Sequence, residues 1–193
     1  MSDEIQQRFD LLLNRLSTAY DGVGHSSGRP YLYFVYPPAQ ERQVQRMVDE
    51  QMKTHATLAF YCIDILKITI TSLSGQEERR RQFLDDPLRG KNQTEAILRL
   101  WAEELSEEIE RTLETMDVNK RPVVVLHNLA ALHPLGDPTS LMEFLAEQEP
   151  RNPRTGTIVP IVLLVPGSRP PQSSRSYLFL DQIQLDFYRG EEI

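Results

Sequence analysis

The stretch Pro122-Val123-Val124-Val125-Leu126-His127-Asn128 carries the densest apolar, β-branched run in the chain and lies far from either end. A continuous run of this kind, bounded by Arg121-Pro122 on one side and polar residues on the other, reads as a strand buried on both faces. Its partners should be strands too. Tyr31-Leu32-Tyr33-Phe34-Val35-Tyr36, ending at Pro37-Pro38, and Ile158 to Val165, ending at Pro166-Gly167, have the same character. Each run stops in a proline or a polar pair, where a strand hands over to a loop. Ligands of open α/β sheets bind at the carboxyl edge of the strands, so function is sought in the loops that start at Pro37, His127 and Pro166.

Helical periodicity fills the intervals. Ile5, Phe9, Leu12, Leu13, Leu16 and Tyr20 recur at spacings of three and four, which predicts an amphipathic helix over about 3–20. Asp21 to Gly28 breaks it as a loop. After Pro37-Pro38, the residues Val44, Met47, Val48, Met52 and His55 share a helical face, and Leu58 to Ile63 supplies a second strand, so strand, helix and strand outline a βαβ unit. Asp64 to Leu73 fits either a strand or a helix; a short helix is favoured, with Asp64 as N-cap and Gly75 just past its end. Gln76 to Asp85 is read as exposed helical turns stopped by Pro87. From Asn92 to Met116 one stripe holds Ile97, Leu98, Trp101, Leu105, Ile109, Leu113 and Met116, which predicts a helix of roughly 25 residues, about 37 Å long.

Thr139 to Gln148 is a shorter helix behind Asp137-Pro138. Pro160 warns of an edge or bulge in the strand that follows. Arg169 to Ser176 reads as a polar linker and Ile183 to Tyr188 as a final strand, followed by a charged tail at 189–193. The sum is a single α/β domain over residues 1–193, a three-layer sandwich with a mostly parallel central sheet.

The totals narrow the function. At 193 residues the chain buries a real core. A net charge of −7 argues against a dedicated nucleic-acid binder. Cys62 is the only cysteine, so no internal disulfide forms, and the longest apolar run is far shorter than the roughly 20 residues a membrane span needs. With no signal-peptide pattern after Met1, a soluble cytoplasmic protein is expected.

A phosphate cradle needs glycines that let backbone N–H groups approach, with a lysine and a hydroxyl to hold charge and Mg²⁺. Pro37-Pro38-Ala39-Gln40-Glu41-Arg42-Gln43 has none of these, and its prolines delete two donors. Gly90-Lys91-Asn92 lacks the flanking glycine and hydroxyl and reads as a loop before a helix; Gly22-Val23-Gly24 precedes a strand instead of following one. His127 and His133 stand six apart without a cysteine nearby, so zinc has little support, and a histidine bonding loop backbone is the simpler reading. Cys62, inside an apolar strand, is expected buried and inert. Ser168 has no nucleophile elbow and no assignable base. No catalytic residue, cofactor or metal is therefore assigned. Arg79-Arg80-Arg81 reads as solvated charge, whereas Arg151, Arg154, Arg169 and Arg175, gathered in two loops, are candidates for binding an acidic partner.

The ordered segments resemble the BrxB family of bacteriophage-exclusion (BREX) systems. The likeness rests on Tyr33-Phe34-Val35-Tyr36-Pro37 before an Arg/Glu-rich helix and on Pro122 to Leu126 with Leu132-His133-Pro134. It continues through the helix containing Leu141, the segment Pro160 to Ser168, and Asp186-Phe187-Tyr188-Arg189. Leu129 to Leu135 departs from it in lacking a glycine-bearing turn. The resemblance implies a fold like a P-loop or AAA-type ATPase core without the nucleotide-binding motifs. It also implies a non-catalytic adaptor role in antiphage defence, with a BrxC-like ATPase and a PglZ-like alkaline-phosphatase-like protein as partners and DNA met only indirectly. Tyr36, Pro37, His127, Asn128, Arg151, Arg154, Arg169 and Arg175 are the candidate partner-binding positions. A degenerate nucleotide-binding subunit and a DNA-contacting subunit are the alternatives.

Overall fold

The computed structural model describes residues 2–18, 20, 31–75, 77–78, 81, 87–117, 119–146, 151–170 and 175–193. Its strands are β1 (Tyr31–Tyr36), β2 (Leu58–Asp64), β3 (Arg121–His127), β4 (Ile161–Ser168), β5 (Ser176–Phe179), β6 (Ile183–Asp186) and β7 (Gly190–Glu192). Its helices are α1 (Ser2–Thr18), α2 (Glu41–Met47), α3 (Ile65–Thr71), α4 (Pro87–Glu114) and α5 (Pro138–Leu145). Five strands lie in the order β2-β3-β4-β1-β7, all parallel, and β5 and β6 form an antiparallel hairpin attached to the end of β4.

The sheet is buried on both faces, which is why its central strands read as unbroken apolar runs. On one face Leu32, Phe34, Val123, Val125, Val162 and Leu164 pack against Phe9, Leu12 and Leu16 of α1 and Val44 and Met47 of α2. On the other, Tyr33, Val124, Leu126 and Leu163 meet Trp101, Leu105 and Ile109 of α4, Leu141 and Leu145 of α5, and Tyr177 and Phe179 of the hairpin. Direction of travel explains the division. The chain steps from β1 to the far edge at β2 through α2 on one face, then returns through β3 and β4 to β7 with its connections on the other. Crossovers of a single hand require opposite faces for opposite directions.

Several expectations are corrected. The long helix begins at Pro87, the favoured residue type for a first helical position, so Gly90-Lys91-Asn92 lies inside α4 and not in a loop. Asp64 does cap α3, accepting from Leu66 N at 3.0 Å, but α3 ends at Thr71, and Gly75, at φ +78, terminates a later run of turns. β4 starts after Pro160 and runs through Pro166 and Gly167 to Ser168. Ser176–Phe179 is a strand, not the end of a linker, and Ile183 opens the second arm of a hairpin, not the final strand. The supposed charged tail is β7, the edge strand beside β1. The loop at 21–28, Arg79, Arg80 and the tail of the helix at 147–148 lie outside the described residues, while Glu77 and Glu78 are helical and exposed.

Candidate functional site

Ligand sites of open α/β sheets form where neighbouring strands send their connections to opposite faces. β1 and β4 are such a pair, adjacent and parallel in the register Tyr36↔Pro166. Between their carboxyl ends opens a cavity of about 240 Å³ walled by Glu4, Arg8, Pro37, Gln40, Ser168 and Arg169.

The β1 side of this cavity offers no backbone cradle for phosphate. Tyr36 is fully buried and its hydroxyl donates to Glu41 Oε2 at 2.6 Å, while Gln45 holds the other carboxylate oxygen at 3.0 Å. Burial, and then Glu41, pushes the phenol far above its ordinary range, so it stays neutral. Pro37 is extended (ψ 133) and Pro38 opens a 3-10 turn over Pro38–Gln40. Neither proline has an N–H, and the Gln40 N–H is spent on Pro37 O at 2.8 Å.

The β4 side supplies charge that is already engaged. Gly167 lets β5 approach, since a Cβ there would stand 3.1 Å from the Leu178 carbonyl carbon. Arg169, the next residue but one, pairs through Nε with Glu192 Oε1 of β7. Arg8 reaches the same oxygen at 3.3 Å from α1, and also donates to Ile193 O at 2.6 Å and Val35 O at 2.8 Å. One turn pair further along α1, Arg15 holds Glu191 Oε1 at 2.9 Å. Burial draws the Arg8 guanidinium below its ordinary range, and Glu192 opposes that shift. Glu191 and Glu192 are thus clamped by three arginines, two from α1 and one just past the end of β4.

At the carboxyl ends of β2 and β3, Asn128 donates from Nδ2 to Asp64 Oδ1 at 2.9 Å and sits in the left-handed region (φ 58, ψ 34). His127 is half-buried. Its Nδ1 is buried without a hydrogen-bond partner, against the expectation that it would bond loop backbone.

The eight candidate positions do not form one surface. Tyr36, Pro37, His127, Asn128 and Arg169 stand along the carboxyl edge; of these Pro37 and Arg169 reach the cavity, and Tyr36 is sealed off by Glu41. Arg151 and Arg154 lie at the opposite edge, in the loop that leads into β4, where Arg151 donates to Gly156 O at 3.1 Å. Arg175 lines a separate groove with Phe187, Arg189 and Glu191. The clustering of arginines in sequence is not a clustering in space. Cys62, expected buried, is exposed on edge strand β2, although local desolvation holds its thiol above the usual range. Arg8, Glu191 and Glu192 escaped the sequence reading. The available signal was that Arg8 and Arg15 share the helical repeat of Ile5 and Leu12, bordering the buried stripe where an arginine needs a partner.

No family model, curated protein or solved structure matches the chain. Among the described residues no group of three or more His, Cys, Asp and Glu side chains is placed to hold a metal ion, and no helix is long and apolar enough to cross a membrane.

Proposed function

We propose that this chain is a non-catalytic adaptor of a BREX-type antiphage defence system, which docks larger components such as a BrxC-like ATPase and a PglZ-like protein. One observation carries the reading. The β1/β4 crevice, where an α/β sheet of this order would hold a nucleotide, offers prolines, a Tyr36 hydroxyl committed to Glu41, and arginines already neutralised by Glu192. A crevice without the glycine backbone cradle, lysine and free positive charge that hold a nucleotide's polyphosphate and Mg²⁺ favours recognition of macromolecules over turnover. The BrxB-like order of segments in the sequence supplies the particular partners. The net charge of −7 weighs against direct DNA contact.

The test is capture by the purified BrxC-like and PglZ-like proteins, with charge reversal at Arg154 and at Arg175 as probes of two separate surfaces. Capture by at least one partner, weakened by one reversal, is the expected result. A rise in thermal stability with Mg²⁺-ATP would favour the degenerate nucleotide-binding alternative, because a ligand that binds only the native state stabilises it. Failure of both proteins to bind would remove the adaptor reading.

A further inference from the structure

The ion pairs around Glu192 are arranged as a bound anion would be. Arg8 approaches from α1 and Arg169 from the end of β4, elements far apart in sequence, and both meet a single oxygen, Oε1. The Glu192 side chain is only 9% exposed, whereas Arg169 is 58% exposed and opens toward solvent. Gln40 and Ser168 border the same cavity, and among the described residues no hydrogen bond engages the Gln40 amide or the Ser168 hydroxyl. The cavity thus combines two guanidiniums with an amide and a hydroxyl, the donor set that recognises an oxyanion.

We propose that the β1/β4 cavity is a binding site for one small oxyanion group, a phosphate or a carboxylate, which competes for Arg8 and Arg169 with Glu192, a residue that lines a separate groove and not this cavity. Size sets the ligand class. At about 240 Å³ the cavity is below the range of roughly 300–1,000 Å³ that encloses whole small-molecule ligands, so it takes an anionic head group and not a nucleotide. Charge sets the mechanism. Arg8 and Arg169 line the cavity but are paired with Glu192, which lies outside its lining, and Glu4 stands on the rim, so an incoming anion binds by drawing the two guanidiniums away from Glu192. Because Glu192 belongs to β7, this exchange of partners also loosens the edge of the sheet, where Ile193 N donates to Tyr33 O at 3.1 Å. The site is independent of the adaptor reading: it stands or falls on small anions alone.

The experiment titrates sodium phosphate, sodium acetate and sodium chloride, at matched ionic strength, into the parent chain and Glu192→Gln, followed by calorimetry. Removing the internal carboxylate should tighten phosphate or acetate at least ten-fold over the parent. Adding Arg169→Ala to Glu192→Gln should abolish that gain. The phosphate and acetate arms distinguish the two head groups, and chloride reports nonspecific screening. Binding no tighter in Glu192→Gln than in the parent, or a gain that survives Arg169→Ala, would overturn the site. Should Glu192→Gln fail to fold, amide exchange at Ile193 in the parent decides: phosphate or acetate should accelerate it relative to chloride, and equal rates in all three salts would refute the exchange.

Discussion

Gly190 lies against the ring of Tyr33 so closely that a Cβ there would stand 2.7 Å from Cδ2, and 3.0 Å from the carbonyl oxygen of Tyr31. The ring has nowhere to go. Its hydroxyl donates to Tyr188 O at 3.2 Å and its face meets Phe187 edge-on, with 5.1 Å between centroids. Gly190→Ala is therefore expected to cost about 1–3 kcal/mol as overpacking at a rigid contact. Denaturant unfolding measures the loss, and unaltered stability would mean that β7 does not occupy this edge.

Asn128 tests the junction of β3 with the loop behind it. Its left-handed backbone costs an ordinary L-residue about 1–2 kcal/mol, and its amide is one of two donors to Asp64 Oδ1. Asn128→Ala loses the bond and keeps the strain; Asn128→Gly loses the bond and relieves it. The glycine variant should be the more stable by about 1 kcal/mol. The reverse order in urea melts would contradict the assigned backbone conformation.

His55 gives the protein a pH dependence of known sign. Desolvation first, and Lys120 second, lower its pKa below the ordinary histidine value, and its Nδ1 accepts from Leu58 N at 3.2 Å, a bond the protonated ring cannot accept. The unfolded chain then binds the proton more tightly than the folded one. Stability contributed by neutral His55 is full above the unfolded pKa near 6.5 and is lost as pH falls through the lower folded value. An NMR titration of the His55 ring should show a midpoint below 6.5. A midpoint at or above it would remove both the bond and the sign.

Cys62 should combine access with low reactivity. It is exposed on β2, yet desolvation raises its thiol pKa, with Lys53 opposing and Asp49 adding to the shift. The thiolate is the nucleophile, so at pH 8 iodoacetamide should label the native chain to completion but more slowly than the urea-unfolded chain. The folded state also loses stability as pH rises from the unfolded thiol pKa toward the raised folded one, because there the folded chain holds the proton more tightly. Native labelling as fast as unfolded labelling would show that the thiol is not desolvated.

The layers were legible because they rest on local periods. Leu98, Trp101, Leu105 and Ile109 mark a helix face by spacing alone, and the runs at Tyr31 and Pro122 mark strands hidden on both faces because no polar residue interrupts them. Asp64 announced itself as a cap by side-chain chemistry. β7 gave no such signal: Gly190-Glu191-Glu192 has no apolar alternation, and it is a strand because Tyr31–Tyr33 offers it an open edge and arginines neutralise its carboxylates. Periodicity does not reveal the start of α4, because a proline that can stop a helix serves here as a first residue.

Sequence by itself determined the class of fold, helices on both faces of a parallel sheet, and the poverty of phosphate donors after β1, since both follow from residue type and spacing within a short window. Only the tertiary structure decided the order β2-β3-β4-β1-β7, the crevice between β1 and β4, and the meeting of Arg8 with Glu192 across 184 residues of chain. Such relations depend on which strand lies beside which. Strands of nearly interchangeable apolar composition leave that choice to packing and crossover handedness, which no local pattern encodes.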